Sequence, residues 1–288
     1  MANPETDQAP PTEWQPLPPL ATTNADGSPT IGMADYVDES FIFLGAGAAV
    51  LLQLAVPGVG HGVADHSEVL SEPLSRLRTT MSYIYAISLG TPEEKKAIIK
   101  MVNKAHIPVR AKSYSAFDPD LQLWVAATLY KGGIDLFERF HGPLDPASAE
   151  RIYRESMEYG NALQVKPEMW PRDLAAFNAY WDRQIEGLEV DYQVLAFVNK
   201  LLSGGQAPWF IRLGMPLNNF VTAGLLPPRA REAFQMTWGP RHQRAFDLLF
   251  RVLPVVYRFI PRPVRTLPSK LYLRDMRKRL ASGRGVAR

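Results

Sequence analysis

The chain contains no cysteine. This absence excludes disulfide bonds, thiolate-ligated haem, iron–sulfur clusters and cysteine-built zinc sites. The N-terminal 30 residues also lack the basic start and apolar run of a signal peptide, and are instead rich in proline, threonine, aspartate and asparagine. We therefore predict a disordered lead-in over residues 1–34 and a cytoplasmic location.

Several motifs that define common enzyme classes are missing as well. No glycine-rich phosphate loop precedes a Lys-Ser/Thr pair, and Gly45-Ala46-Gly47 does not follow a strand, as a dinucleotide-binding fold requires. There is no Gly-x-Ser-x-Gly nucleophile elbow and no convincing pair of glycosidase carboxylates. These absences argue against nucleotide binding, serine hydrolysis and glycoside hydrolysis.

Charge is distributed unevenly along the chain. Residues 251–288 contain eleven Lys/Arg and a single acid, Asp275, so this stretch carries +10; subtracting it from the total of +3 leaves −7 on the rest. Large apolar residues alternate with arginine over residues 252–265, which predicts peripheral contact with an anionic membrane; the alternative is a solvated tail. We predict no nucleic-acid partner, because the acidic body offers no supporting basic patch.

Residues 41–63 form the longest apolar stretch. Its length would suffice to cross a bilayer. However, it contains several glycines and is broken at Pro57. We therefore predict a buried helix of about 17 residues followed by a glycine-rich turn, rather than a membrane-spanning helix.

Helical periodicity runs through the rest of the chain, and no hairpin signal separates alternating strands. Thr91-Pro-Glu-Glu94 is a capping box, and Asp118-Pro119 begins the next helix, which Gly132-Gly133 should interrupt or kink. Pro171 should begin a later helix. The predicted fold class is all-α.

The predicted domain organisation follows from these helices. A single large helical domain should occupy residues 35–262, and a basic C-terminal tail residues 263–288. We expect both ends of the chain to be mobile.

Arg76, Thr80 and Tyr83 have the spacing i, i+4 and i+7, which places them on one face of a helix beside an apolar face. An arginine in such surroundings needs an anionic partner, such as a carboxylate or a haem propionate. The alternative is an ordinary arginine whose apolar stem lies along the helix surface while its charge reaches water.

His106 ends the helix that Thr91 caps. A neutral imidazole facing an apolar pocket is a good axial ligand for haem iron. The alternative is a histidine that interacts with the last carbonyls of its helix. His61, His66 and Asp65 could instead form a non-haem metal site, with Asp65 or Ser67 orienting His66.

Taken in order, several phrases resemble the ER-bound oxygenase / rubber oxygenase catalytic domain family over about residues 45–262. They are Leu52-Gln-x-Ala-x-Pro57 leading to His66-Ser67, Arg76-x-x-x-Thr80, Val102-Asn-x-x-His106-x-x-Val109, Asp118-Pro-x-Leu-x-Leu-Trp124-Val, Glu138-Arg-Phe-x-Gly142-Pro-Leu and Trp238-x-Pro-Arg241. The resemblance implies a globin-like helical core that binds haem b, with His106 as the iron ligand, Arg76 and Thr80 in the haem pocket, and His66 as the reserve ligand.

This chain departs from the family at two positions. Thr79 stands where the rubber enzymes have a lysine that can occupy the sixth iron site, which implies an open or water-bound site here. Ala126 stands where many relatives have histidine in Trp-Val-His-Ala-Thr-Leu. The resemblance therefore implies a haem b-dependent oxygenase that uses dioxygen on an apolar, isoprenoid or lipid-like substrate. The alternative is a non-catalytic haem- or lipid-binding protein of the same fold.

Overall fold

The computed structural model describes residue 14 and residues 22–24, 26–66, 72–204 and 208–282. This part of the chain is almost entirely helical, which confirms the all-α prediction. Two short antiparallel strands pair Arg110 with Ser115 and Ala111 with Tyr114. The elements are α1 (Met33–Tyr36), a 3-10 segment (Ser40–Gly45), α2 (Ala46–Leu54), α3 (Pro57–His66), α4 (Pro73–Leu89), α5 (Pro92–His106), β1 (Arg110–Ala111), β2 (Tyr114–Ser115), α6 (Pro119–His141), α7 (Pro146–Ser156), α8 (Glu158–Asn161), a second 3-10 segment (Pro167–Met169), α9 (Leu174–Glu186), α10 (Tyr192–Leu202), α11 (Trp209–Leu225), α12 (Pro228–Ala233), α13 (Pro240–Arg258), α14 (Arg262–Arg265) and α15 (Leu267–Ala281).

Side-chain caps fix where the helices begin. At the start of α5, Thr91 Oγ1 accepts from the Glu94 amide at 3.3 Å and the Glu94 carboxylate accepts from the Thr91 amide at 3.0 Å, so the predicted capping box is confirmed. The predicted start at Pro171 is wrong. Helix α9 begins at Leu174, because the carboxylate of Asp173 accepts from an amide of the first turn and caps the helix there.

Helix α6 runs through the core. Trp124 is buried, donates its indole N–H to the Leu52 carbonyl at 2.8 Å and lies 5.3 Å from the ring of Trp181. The predicted interruption at Gly132-Gly133 is wrong, because α6 is continuous from Pro119 to His141. Gly133 serves packing instead, since a Cβ there would lie 3.0 Å from the Tyr36 hydroxyl.

The predicted glycine-rich turn after Pro57 is also wrong, because residues 57–66 form helix α3. A Cβ on Gly60 would lie 2.5 Å from the Leu54 carbonyl and 2.7 Å from Val194, so the glycine lets α3 approach α2 and α10 closely. Among the described helices, none is by itself long and apolar enough to cross a membrane. Residues 40–54 and 57–66 meet that test only as a pair bent by 106°.

Both predicted mobile ends contain packed structure. Helix α15 lies against α4 and buries Leu273 and Met276, and α14 contributes Arg265, which pairs with Glu39 at 3.3 Å. At the other end, the amide of Ile31 donates to the Ser148 hydroxyl. These contacts show packed structure at both ends, and the expected mobility stays a prediction. Most of residues 1–25 and residues 283–288 lie outside the described part, and the domain boundaries at 34 and 262 stay predictions.

Candidate functional site

Helices α4 and α5 form a hairpin that places Arg76 opposite His106. Only Gly90 and Thr91 connect the two helices. Helices α4 and α5 pack against each other. A connection this short makes neighbouring helices antiparallel. Arg76 lies 13 residues before the end of α4, and His106 lies 14 residues after the start of α5. At 1.5 Å per residue, both are about 20 Å from the turn.

The His106 imidazole is neutral and has an unsatisfied nitrogen. Its Nδ1 is buried and receives no hydrogen bond from the part of the chain that the structure describes. Burial, together with the positive charge of Arg76, lowers the pKa of His106 to about 4. The ring of Phe117 stands perpendicular to the imidazole at 6.2 Å. Because the ring stays uncharged at neutral pH, its lone pair is available to a metal.

Arg76 is near enough to affect His106, and it has no carboxylate beside it. Within the described ranges, the guanidinium forms neither an ion pair nor a hydrogen bond. The side chain as a whole is exposed, yet the protein around it displaces enough water to lower its pKa. Its donors are therefore available to an anion, such as a carboxylate of a ligand.

The other two residues of the predicted α4 face, Thr80 and Tyr83, lie in different environments. Thr80, one turn after Arg76, is exposed. Tyr83 is buried and donates to the Tyr159 carbonyl at 2.7 Å, so it serves the core and not the face that Arg76 and Thr80 share.

A ladder of amide side chains holds the end of α5 against the start of α6. Gln164 donates from Nε2 to Asn103 Oδ1 at 3.1 Å and from its backbone to Gln122 Oε1 at 2.7 Å. Gln122 is buried and donates to the Ala116 carbonyl. Asn103 lies one turn before His106, so the ladder positions the imidazole. The sequence carried no signal for it, because Gln164 is 61 residues from Asn103.

His66 belongs to a separate cluster. It is exposed, and its Nε2 lies 3.1 Å from the hydroxyl of Tyr114, which donates to Asp65 at 2.9 Å. Asp65 therefore contacts Tyr114 and does not orient His66, and Ser67 lies outside the described residues. Tyr114, which the sequence interpretation missed, links α3 to the strand pair.

The alternative metal site made of His61, His66 and Asp65 does not form among the described side chains. His61 Nε2 lies 2.5 Å from Asp191. In the described ranges, no group of three or more His, Cys, Asp or Glu side chains could hold a metal ion.

The two departures from the family pattern have clear structural settings. The hydroxyl of Thr79 donates to the Ser75 carbonyl of its own helix at 3.0 Å. Ala126 is 1% exposed and packs within the core. Neither position contributes a group to the His106–Arg76 region.

An apolar cavity of about 70 Å³ lies between α2, α4 and α6. Gly132 lines it, and a Cβ added there would meet nothing within 4 Å. Small-molecule sites usually enclose about 300–1,000 Å³, so this cavity suits a small apolar group rather than a porphyrin. Its other lining residues are Tyr36, Val37, Ile42, Gly45, Ala46, Ala49, Met81, Ile84, Thr128, Leu129, Gly133 and Tyr159.

The side chains on the α4–α5 hairpin are of the chemical types that hold haem, although the apolar cavity beside α4 is too small for a porphyrin and is not lined by them. His106 offers a neutral imidazole, the group that ligates haem iron in many proteins, and Arg76 offers an unpaired cation for a propionate. Thr80 is exposed on the same helix as Arg76. His66 fits less well, because one of its ring nitrogens already contacts Tyr114.

The fold defines an all-α protein, and the comparison with known families gives its class as oxygenase. The chain belongs to the family described as ER-bound oxygenase mpaB/B'/Rubber oxygenase, catalytic domain, whose family model matches residues 34–255. It is 40% identical over 249 residues to the uncharacterized protein Mb2261 of Mycobacterium bovis and, to the same extent, to the uncharacterized protein Rv2237 of Mycobacterium tuberculosis. Each match covers 83% of this chain and 98% of the relative. No solved structure is detectably similar.

Proposed function

We propose that this oxygenase depends on haem b and uses dioxygen to oxidise an apolar, isoprenoid or lipid-like substrate. The observation that carries the proposal is the buried, unpartnered Nδ1 of a neutral His106 beside Arg76. A desolvated imidazole nitrogen without a partner is costly to the fold, and a metal ligated there would satisfy it.

The residues of the hairpin have distinct roles in haem binding and catalysis. His106 ligates the iron, and the Asn103–Gln164–Gln122 ladder holds its helix in place. Haem b, when bound, supplies the iron at which dioxygen is activated for attack on a carbon–carbon double bond. Arg76 holds a propionate or stabilises negative charge that develops during the reaction, and Thr80 offers a hydroxyl on the same face. The apolar cavity beside α4 suits part of an apolar substrate.

Absorption spectroscopy of the haem-reconstituted protein tests the proposal. The wild-type protein should show a Soret band that His106→Ala removes or shifts. His66→Ala is the matched control, and should leave the band unchanged because His66 contacts Tyr114 instead. Absence of a Soret band in the wild type, or an unchanged band in His106→Ala, would refute haem ligation by His106.

The buried position of Ala126 favours a second candidate function, non-catalytic haem or lipid binding. Many relatives carry a histidine there, and in this chain the position is filled by tightly packed core. Turnover separates the two candidates. If the protein binds haem but olefinic lipids incubated with dioxygen yield no carbonyl products, the binding function is the correct one.

We further propose that the protein contacts anionic membranes peripherally. The apolar and arginine-rich segment predicted to make this contact, residues 252–265, spans the end of α13 and α14. The basic residues that follow it in the tail lie in helix α15, which buries Leu273 and Met276. Its basic residues Arg274 and Lys278 are exposed, so the tail can contribute charge to such a contact but less apolar surface than a free amphipathic segment.

A further inference from the structure

The outer side of α13 carries an exposed apolar stripe. A helix this amphipathic normally buries its apolar side, and α13 does bury Phe246, Phe250 and Tyr257. Yet a second apolar set lies on the solvent side with the spacing of a helix face. It comprises Leu248, Val252, Val255, Val256 and Phe259, each at least half exposed and Phe259 84% exposed.

A row of arginines borders this stripe. Arg244, Arg251 and Arg258 are spaced seven residues apart and are all exposed, so they lie along one edge of the stripe. Within the described ranges, Arg251 and Arg258 form no ion pair or hydrogen bond. The nearby acid, Asp247, accepts a hydrogen bond from Gln243. Asp247 keeps its negative charge, and the three arginines outnumber it, so the edge of the stripe has a net positive charge.

Other helices near α13 also expose large apolar side chains. Helix α11, which packs against α13, exposes Trp209, Leu213 and Leu217 at a spacing of four residues. Beyond α13, further exposed apolar side chains follow in α14 and α15, namely Val264, Leu267 and Leu271. Soluble monomers rarely expose so many large apolar residues together, and such surfaces usually mark an interaction site.

We propose that the α13 face, meaning the stripe from Leu248 to Phe259 with its arginine row, docks on an anionic lipid bilayer. Helices that lie in a membrane interface combine an apolar side inserted below the headgroups with basic residues at headgroup level. A second copy of this chain fits less well. If the two α13 helices packed antiparallel around a two-fold axis, the two arginine rows would lie side by side and repel each other. The proposal rests on the membrane contact proposed above and deepens it. It places the contact on the exposed stripe of α13, which begins before the predicted segment 252–265 and includes its first part, and not on the basic helix α15.

Vesicle flotation of the full-length protein tests this location. The vesicles are phosphatidylcholine alone or an equal mixture of phosphatidylcholine and phosphatidylglycerol. Val255→Asp/Phe259→Asp removes apolar contact, and Arg251→Gln/Arg258→Gln removes charge from the row. Arg274→Gln/Lys278→Gln removes charge from the tail. Tyr192→Asp is the matched control, because Tyr192 is 86% exposed on α10, outside the face.

The wild type should bind the anionic vesicles and bind phosphatidylcholine more weakly. The aspartate pair should weaken binding at least about ten-fold, since each inserted side chain contributes substantial apolar burial. The glutamine pair on α13 should weaken binding on the order of 20-fold at low salt and reduce the salt dependence. Tyr192→Asp should bind like the wild type.

Three outcomes overturn the proposal. If the wild type does not float with the vesicles, both proposed membrane contacts, the α13 face and the tail, are wrong. Loss of binding in the tail variant, with normal binding in both α13 variants, assigns the contact to the tail alone. A wild-type dimer by light scattering that Val255→Asp/Phe259→Asp converts to monomer shows that a second copy covers the face. Circular dichroism establishes that the variants are folded.

Discussion

Replacing Gly132 with alanine should stabilise the protein, whereas the same change at adjacent Gly133 should not. Alanine in a helix interior is favoured over glycine by about 0.5–1 kcal/mol. At Gly132 the new Cβ meets nothing within 4 Å and enters the apolar cavity, so most of this gain should appear as a higher free energy of unfolding. At Gly133 the Cβ would lie 3.0 Å from Tyr36 Oη and 3.2 Å from its ring.

Tyr36 cannot move easily to accommodate a methyl group on Gly133. It is 1% exposed and stacks edge-on with Phe137 at 5.7 Å. Overpacking of a tight core usually costs about 1–3 kcal/mol, which exceeds the helical gain. Gly133→Ala should therefore be destabilised, and the two variants should differ by about 1–3 kcal/mol.

Urea unfolding followed by circular dichroism measures both free energies. The slope of the free energy with denaturant should stay the same in both variants, because neither changes the surface exposed on unfolding. A destabilised Gly132→Ala would show that the cavity is closed in solution. Equal stabilisation of both variants would show that Tyr36 is not held as the structure describes.

Two further predictions concern charged groups. Because the folded-state pKa of His106 lies near 4, below its ordinary value, the unfolded chain binds more protons between about pH 4 and 6.5, and stability should fall as the pH is lowered through that window. The loss attributable to His106 is at most about 3 kcal/mol, less for a partly exposed ring, and should shrink in His106→Gln when urea unfolding is compared at pH 7 and pH 5. Arg265→Ala should destabilise the fold by about 3 kcal/mol, because Glu39 is 5% exposed and would remain buried with only the Tyr257 hydroxyl, and no cation, beside its carboxylate. The double variant with Glu39→Gln should recover part of the loss in the same urea assay, and no recovery would contradict a direct pairing.

The fold was predictable where local chemistry decides it. Thr91 and Asp118 cap their helices as the sequence indicates, because a side-chain oxygen followed by proline at the first helical position specifies a start without help from distant residues. The glycines led to wrong predictions because their role depends on residues distant in the sequence. Gly60 and Gly133 are tolerated inside helices because Val194 and Tyr36 approach them, and those contacts join positions far apart in the sequence.

The candidate site divides in the same way. The resemblance identified Arg76 and His106, and the α4–α5 hairpin explains why they come together although 29 residues separate them in the sequence. Sequence could not show that His66 would pair with Tyr114, or that Gln164 would hold Asn103. Both contacts depend on tertiary packing, and both decide which histidine remains available.

The two groups on the hairpin are the kind that a fold keeps only for a reason. A buried imidazole nitrogen without a hydrogen bond and a partly desolvated guanidinium without a carboxylate both weaken the folded state. In most of a protein, local propensity, packing and hydrogen bonding all favour the same structure. Groups that violate these rules concentrate at functional sites. Other buried charges are paired, since Glu39 has Arg265 and the largely buried Lys95 has Glu158. Several uncharged buried atoms in the described part of the chain, such as Ser82 Oγ and Trp170 Nε1, lack a hydrogen-bond partner as His106 Nδ1 does. His106 differs from these atoms in its chemistry, because an imidazole can ligate a metal, and one ligand that supplies both a metal and a carboxylate would satisfy the histidine and the arginine together.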